Sequence, residues 1–172
     1  MISILNKEEY MPSFDLVSAL DMGELKNVIN MAQKQISGRY DFKGSKCELK
    51  LLNNKELELV AEDDYKIKAA LSIFMDQMTK RNLGLKCLDI KEPQNVGHQM
   101  LKQIIILNSG IDKENAKIIN KVVKESGIKV SSQNLDEKIR FTSKKIDDLQ
   151  KTFQVIRSNE TIKIDVSMEN MK

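Results

Sequence analysis

Lys138, Arg140 and Thr142 alternate with Ile139 and Phe141. A strand here would put the two cations and the hydroxyl on one face and the apolar pair on the other. Lys129, Ser131 and Gln133 alternate in the same way just upstream. Together they describe a basic face with hydroxyl and amide groups, the set that takes phosphate oxygens and base edges. A second basic feature follows Gly110, where Lys113, Lys117 and Lys121 recur every four residues with Lys124 close by. As a helix this is one stripe opposite Ile118, Ile119, Val122 and Val123, which also fits an ordinary solvated helix face. Lys144, just past Thr142, adds a further cation.

Enzyme chemistry finds little to build on. The chain has no glycine-rich phosphate loop of either common spacing, and no Ser or Cys nucleophile has a base nearby in sequence. His98 is the sole histidine, and Cys47 and Cys87 are isolated among apolar residues, so a zinc site and a disulfide framework are not expected. Asp63-Asp64 and Asp147-Asp148 are paired carboxylates at expected helix starts, where they serve as caps and dipole partners. The expectation is a binding protein with no catalytic residues, no metal and no cofactor.

The elements that must position these residues can be read from hydrophobic period. Ser13–Ala19 alternates as a strand. Asp21 caps a helix carrying Leu25, Val28, Ile29, Ala32 and Ile36. Residues 39–46 are a connector with extended character. Cys47–Leu51 and Leu57–Ala61 form a hairpin around Asn53-Asn54, with Leu59 at its centre. Asp63 caps a helix with the stripe Ile67, Ala70, Leu71, Phe74, Met75 and Met78, and Leu85–Ile90 is a short strand. After a linker at residues 92–97 the order recurs. Gln99–Leu107 is a strand, Asp112–Ser126 a helix, and Ile128–Asn134 and Lys138–Ser143 a hairpin. Lys144–Arg157 is a helix and Thr161–Val166 a strand. Leu57, Leu59, Ile67, Leu71 and Phe74 fall on Ile139, Phe141, Leu149, Phe153 and Ile156, all at one offset of 82 residues, which argues for an internal duplication.

Each β-α-β-β-α-β half suits a ferredoxin-like unit: an antiparallel sheet with helices on one face, an α+β fold. The expected division is an extension at 1–10, a first unit at 11–91, the linker at 92–97 and a second unit at 98–172. Ile104 and Ile106 on one face of their strand, with Leu101, Ile105 and Leu107 on the other, call for burial on both sides. In the first unit the outward positions are Asp15, Glu48, Lys50, Glu56 and Glu58, a mostly acidic face.

Bulk composition agrees. Of 172 residues, 28 are basic and 25 acidic, and the whole excess of +3 lies beyond residue 91. Aromatics are 5% with no Trp, which weighs against the usual aromatic single-strand binder. No apolar run is long enough to span a membrane and no signal peptide is evident, so a cytoplasmic protein without membrane contact is expected.

Met11-Pro12-Ser13-Phe14-Asp15-Leu16-Val17-Ser18 resembles the opening of the YajQ family. Arg39-Tyr40-Asp41-Phe42-Lys43 resembles its Arg-Phe-Asp-Phe segment. Ala116–Lys121 and the run Lys129–Gln150 are similar to its C-terminal half. The resemblance implies tandem ferredoxin-like units that exchange their first strands. It also implies nucleotide binding without a known reaction, with cyclic di-GMP, GTP, transfer RNA or other RNA as candidate ligands and a transcription regulator as a candidate partner. The binding residues expected are Arg140, Lys129, Lys117, Lys121 and Lys144, joined through the resemblance by Arg39 and Asp41. The alternative is a protein-interaction adaptor for such a regulator. The chain departs from the family at Asn108 and Ile146, where Lys and Arg are usual, at the Asp136-Glu137 turn, and at Val166–Glu169, where the family ends on aromatics.

Overall fold

Three helices begin where the sequence supplies an acidic cap. Asp21, Asp63 and Asp112 each accept a hydrogen bond from the backbone N–H three residues on, at 3.1, 2.8 and 2.7 Å, satisfying one of the donors that a helix start leaves open. The computed structural model describes residues 10–172, so the extension expected at residues 1–10 lies outside the described residues apart from Tyr10. In chain order the strands are β1 (Ser13–Val17), β2 (Glu48–Asn53), β3 (Glu56–Ala61), β4 (Leu88–Ile90), β5 (Gln94–Asn95), β6 (Leu101–Leu107), β7 (Ser131–Leu135), β8 (Lys138–Thr142) and β9 (Ser167–Glu169). The helices are α1 (Met22–Gly38), α2 (Asp64–Lys80), α3 (Lys113–Glu125) and α4 (Ile146–Ser158). Among the described residues no helix is long and apolar enough to cross a membrane.

The strands form two antiparallel sheets, ordered β7-β8-β1-β9 and β2-β3-β6-β4, with β5 also on β6. Each follows the ferredoxin-like order, but each takes its first strand from the other half of the sequence. β1 pairs with β8, and β6 pairs with β3. The chain therefore divides into a split unit, made of the described residues up to Ala19 with Gly110–Lys172, and a continuous unit, Leu20–Ser109. The exchange is why these units differ from the contiguous halves 11–91 and 98–172.

Each unit has its own core, and the duplicated positions behave alike. Leu57 and Ile139, Leu59 and Phe141, Ile67 and Leu149, and Phe74 and Ile156 are buried pair by pair, while Leu71 and Phe153 are both half-buried. In the split unit Phe14 anchors β1, with ring centroids 5.4 Å from Phe141 and 6.3 Å, edge-on, from Phe153; such aromatic contacts add about 1 kcal/mol each beyond burial. On β6, Ile105 and Leu107 are buried, whereas Ile104 and Ile106 on the other face are only half-buried.

Three elements differ from expectation. The connector after α1 is not extended: Tyr40–Phe42 forms a 3-10 turn. Residues 92–97 are not purely linker, since Gln94 and Asn95 pair with Lys102 and Leu101. The last strand is Ser167–Glu169 rather than 161–166. The alternation of Ile162, Ile164 and Val166 there serves burial without ladder pairing, with Ile162 and Ile164 in the core.

Candidate functional site

On β8, Ile139 and Phe141 point into the core, and Lys138, Arg140 and Thr142 take the opposite face. Residues directly opposite on neighbouring strands share a face. Ser131, Gln133 and Leu135 lie opposite Thr142, Arg140 and Lys138, so the expected outward set of Ser131 and Gln133 with Arg140 is present. On the other side β1 sets Asp15 opposite Arg140. This corrects the placement of Asp15 on the acidic face of the first half. Strand phase tells which face a residue takes, but it does not tell which sheet the strand joins.

Asp15 organises the face. It is only 1% exposed. Its Oδ1 accepts from Arg140 Nε at 2.8 Å, and its Oδ2 accepts from Arg140 Nη2 at 3.3 Å, Lys138 Nζ at 3.3 Å and Asn170 Nδ2 at 3.1 Å. The Arg140 hydrogen bonds, helped by Asn170 and Lys138, hold the Asp15 carboxyl well below the usual carboxylate range against the opposing effect of burial. Asn170 reaches Asp15 through a bulge. Glu169 pairs with Asp15 in register, Asn170 then turns through a left-handed φ of 51°, and the next backbone pair joins Ser13 to Lys172, at 3.2 and 2.9 Å. One extra residue on this edge re-aims the Asn170 amide onto the buried carboxylate. Beside it, Ser13, Arg140, Asn170 and Lys172 line a cavity of about 290 Å³. Glu169 is the acidic neighbour on the same face, exposed to solvent.

The expected binding residues do not all converge. Lys129 is exposed just before β7, and its carbonyl accepts from the Ser143 hydroxyl at 3.0 Å. This holds Lys129 near Lys144, at the Thr142 end of β8. Lys117 and Lys121 are exposed on α3, which packs Ala116, Ile119 and Val123 against the core. They belong to the helical layer, on the opposite side of the sheet from Arg140.

Arg39 and Asp41 lie in the continuous unit and engage each other, Nε to Oδ1 at 2.9 Å and Nη2 to Oδ2 at 2.7 Å. Tyr65 donates its hydroxyl to Asp41 Oδ2 at 2.9 Å, and the Arg39 guanidinium sits 5.5 Å from the Phe42 ring centroid. These contacts lower the Asp41 carboxyl, chiefly through Arg39, and raise the Tyr65 phenol, chiefly through Asp41. Among the described residues no group of three or more His, Cys, Asp or Glu could hold a metal, and burial pushes the Cys47 thiol up to about 11, an inert form.

Sequence reasoning missed Asn170, Lys172, Ser13 and Tyr65. Asp15 carried a signal: an acid inside the otherwise apolar run Phe14-Asp15-Leu16-Val17 calls for a buried partner. Tyr65 carried another, as an aromatic off the apolar stripe of α2. Lys172 and Asn170 depend on the bulge and left no pattern.

Fold and site define a tandem ferredoxin-like protein with exchanged first strands and an arginine face held by one buried carboxylate. The family model described as nucleotide-binding protein YajQ-like matches residues 12–172. The chain is 43% identical over 162 residues to a protein of Geobacter sp. (strain M21), covering 94% of this chain and 99% of the relative. It is 45% identical to one of Bdellovibrio bacteriovorus, covering 86% and 91%, and 42% identical to one of Exiguobacterium sp., covering 93% and 97%. All three are named nucleotide-binding proteins. The chain belongs to the YajQ family.

Proposed function

We propose that this chain binds a nucleotide on the outer sheet face of the split unit, without a reaction of its own. The observation that carries the reading is Arg140. Asp15 takes its Nε and Nη2, which fixes the guanidinium plane and leaves Nη1 for a ligand at the cavity lined by Ser13, Asn170 and Lys172. A guanidinium fixed in this way offers directed donors to a phosphate or a guanine edge, and holding it in advance lowers the ordering cost of binding. Lys172 is the second cation at the cavity, with Lys129 and Lys144 at the end of the same strand pair. The names of the relatives support the ligand class. Cyclic di-GMP and GTP fit a site with paired cations and amide groups, and RNA is the third candidate.

The test is a titration of cyclic di-GMP, GTP and transfer RNA at two salt concentrations, on the unaltered chain and on Arg140→Lys. The variant keeps the charge and the pairing with Asp15 but loses the planar fork. Tenfold or greater weakening in Arg140→Lys is expected. If no ligand binds below about 1 mM, the weak end of the affinity scale, the reading is overturned.

A further inference from the structure

Among the described residues, the strands at the open edges of the two sheets are not guarded alike. β4, β5 and β9 are only two or three residues long. β2 carries Glu48 and Lys50, and an extra residue between the Leu51–Leu57 and Asn53–Glu56 pairs bulges it. Shortness, charge and bulging all keep an edge from pairing with another chain. β7, the first strand of the equivalent hairpin, has none of these guards. Ser131-Ser132-Gln133-Asn134-Leu135 runs five residues with no charge, proline or glycine. It keeps an unbroken register with β8, and Ser131 to Asn134 are all exposed.

The turn shows which backbone groups this edge offers. Leu135 pairs with Lys138 around the turn Asp136-Glu137, so Leu135 aims its N–H and C=O at β8. The direction alternates along a strand, so Ser132 and Asn134 aim theirs away from β8. The Asn134 side chain accepts from Asn120 Nδ2 of α3 at 3.1 Å, which holds the edge against the helical layer. The charges flanking β7 have opposite signs at its two ends. Lys129 precedes the strand, Asp136 and Glu137 follow it, and all three are exposed.

We infer that β7 is an association edge, which takes β7 of a second copy of this chain, antiparallel, into one continuous sheet. Pairing centred on Gln133 sets Ser132 opposite Asn134 of the other copy, so that their outward N–H and C=O groups bond across the junction. It also brings Lys129 of each copy to the Asp136-Glu137 end of the other. A parallel arrangement would set like charges together, so charge selects the antiparallel one. The same patch then serves both copies, as a two-fold interface requires. Gln133 lies opposite Arg140, so the joined sheet lines up the Arg140 faces of both copies. The association does not rest on nucleotide binding there. A five-residue edge is small beside the roughly 1,000 Å² of a stable interface, so monomer and dimer exchange with concentration.

Sedimentation of the full chain from about 10 μM to about 1 mM, the weak end of the affinity scale, should show monomer giving way to dimer. Ser132→Pro removes an outward N–H and leaves the pairing with β8, since an edge accepts proline where its N–H faces solvent. It should weaken the dimer by about tenfold or more. Gln133→Lys and Gln133→Glu each set like charges at the two-fold centre and should weaken it by about threefold. An equimolar mixture of those two variants should restore it. Arg140→Lys should leave the dimer unchanged, so this edge and the nucleotide site stand or fail separately. A chain still monomeric at about 1 mM overturns the inference and leaves the edge to an extended segment of another protein. A dimer that Ser132→Pro forms as tightly as the unaltered chain also overturns it, because the interface then lies elsewhere. So does a mixture that associates no better than either Gln133 variant alone.

Discussion

The two sheets are one plan with opposite chemistry outside. At the duplication offset of 82 residues, Glu56 and Glu58 of β3 stand where Lys138 and Arg140 stand on β8. Opposite Arg140 the first strand places Asp15; opposite Glu58 it places Ile104. Glu58 finds its cation diagonally, two residues along β6, in Lys102 at 3.4 Å, in a pair only partly open to solvent. Inside, equivalent residues are buried alike, since any side chain there must fill the same space between sheet and helices. Outside, water accepts either sign, and the two faces have diverged. The exchange of first strands means that each outer face is complemented from the other half of the sequence.

Four measurements press on that contrast, three losses from the largest to the smallest and then one gain. Asp15→Ala strips a buried carboxylate from Arg140, Lys138 and Asn170 and should cost roughly 3–5 kcal/mol in denaturant unfolding. Ile104→Ala at the equivalent place should cost only about 1–2 kcal/mol, because that side chain is half-buried. Equal losses would break the comparison. Acid unfolding separates the faces next. The Asp15 carboxyl is depressed when folded, so its contribution is full above the unfolded value of about 3.9 and is lost as pH falls below it toward the folded value. Asp15→Asn should therefore flatten the stability profile below about pH 4, and an unchanged acid limb would sink the assignment. Glu58→Gln, on the partly exposed pair, should shift stability by less than about 0.5 kcal/mol, and a larger loss would show the acidic face to be structured as well. The hairpin turns give the one contrast of opposite sign. Glu137 holds a left-handed φ of 54°, while Lys55, its counterpart at the same offset, does not. Glu137→Gly should stabilise by about 0.5–1 kcal/mol, and Lys55→Gly should not stabilise at all.

Much of the fold is legible in the sequence because burial repeats with the period of each element. The stripe Ile67, Ala70, Phe74 and Met78 announces α2, and Ile139 and Phe141 announce the inner face of β8. Periodicity is local, however. Ser13–Val17 reads as a strand with Phe14 and Leu16 inward, and nothing in those five residues says that their partner is Lys138–Thr142. The exchange came from family resemblance, and without it Asp15 falls on the wrong sheet. Of the proposed site, Arg140 and its strand neighbours were legible. Lys117 and Lys121 looked equivalent to it because charge patterning does not distinguish the two sides of a layered unit. Asn170 and Lys172 were invisible because a bulge places them.

The exchange also sets an order of events. The continuous unit, Leu20–Ser109, holds all its own strands and can form as soon as that stretch has been synthesised. β1 cannot. Its partner Arg140 lies 125 positions along the chain from Asp15, so Phe14 and Leu16, buried in the finished protein, stay without a ladder until β8 exists. Docking so distant a segment is slow by its loop-closure entropy, and an apolar strand waiting with open edges invites pairing with another copy. Among the described residues the first strand made must wait for one of the last, and until then β1 is open to pairing with another copy.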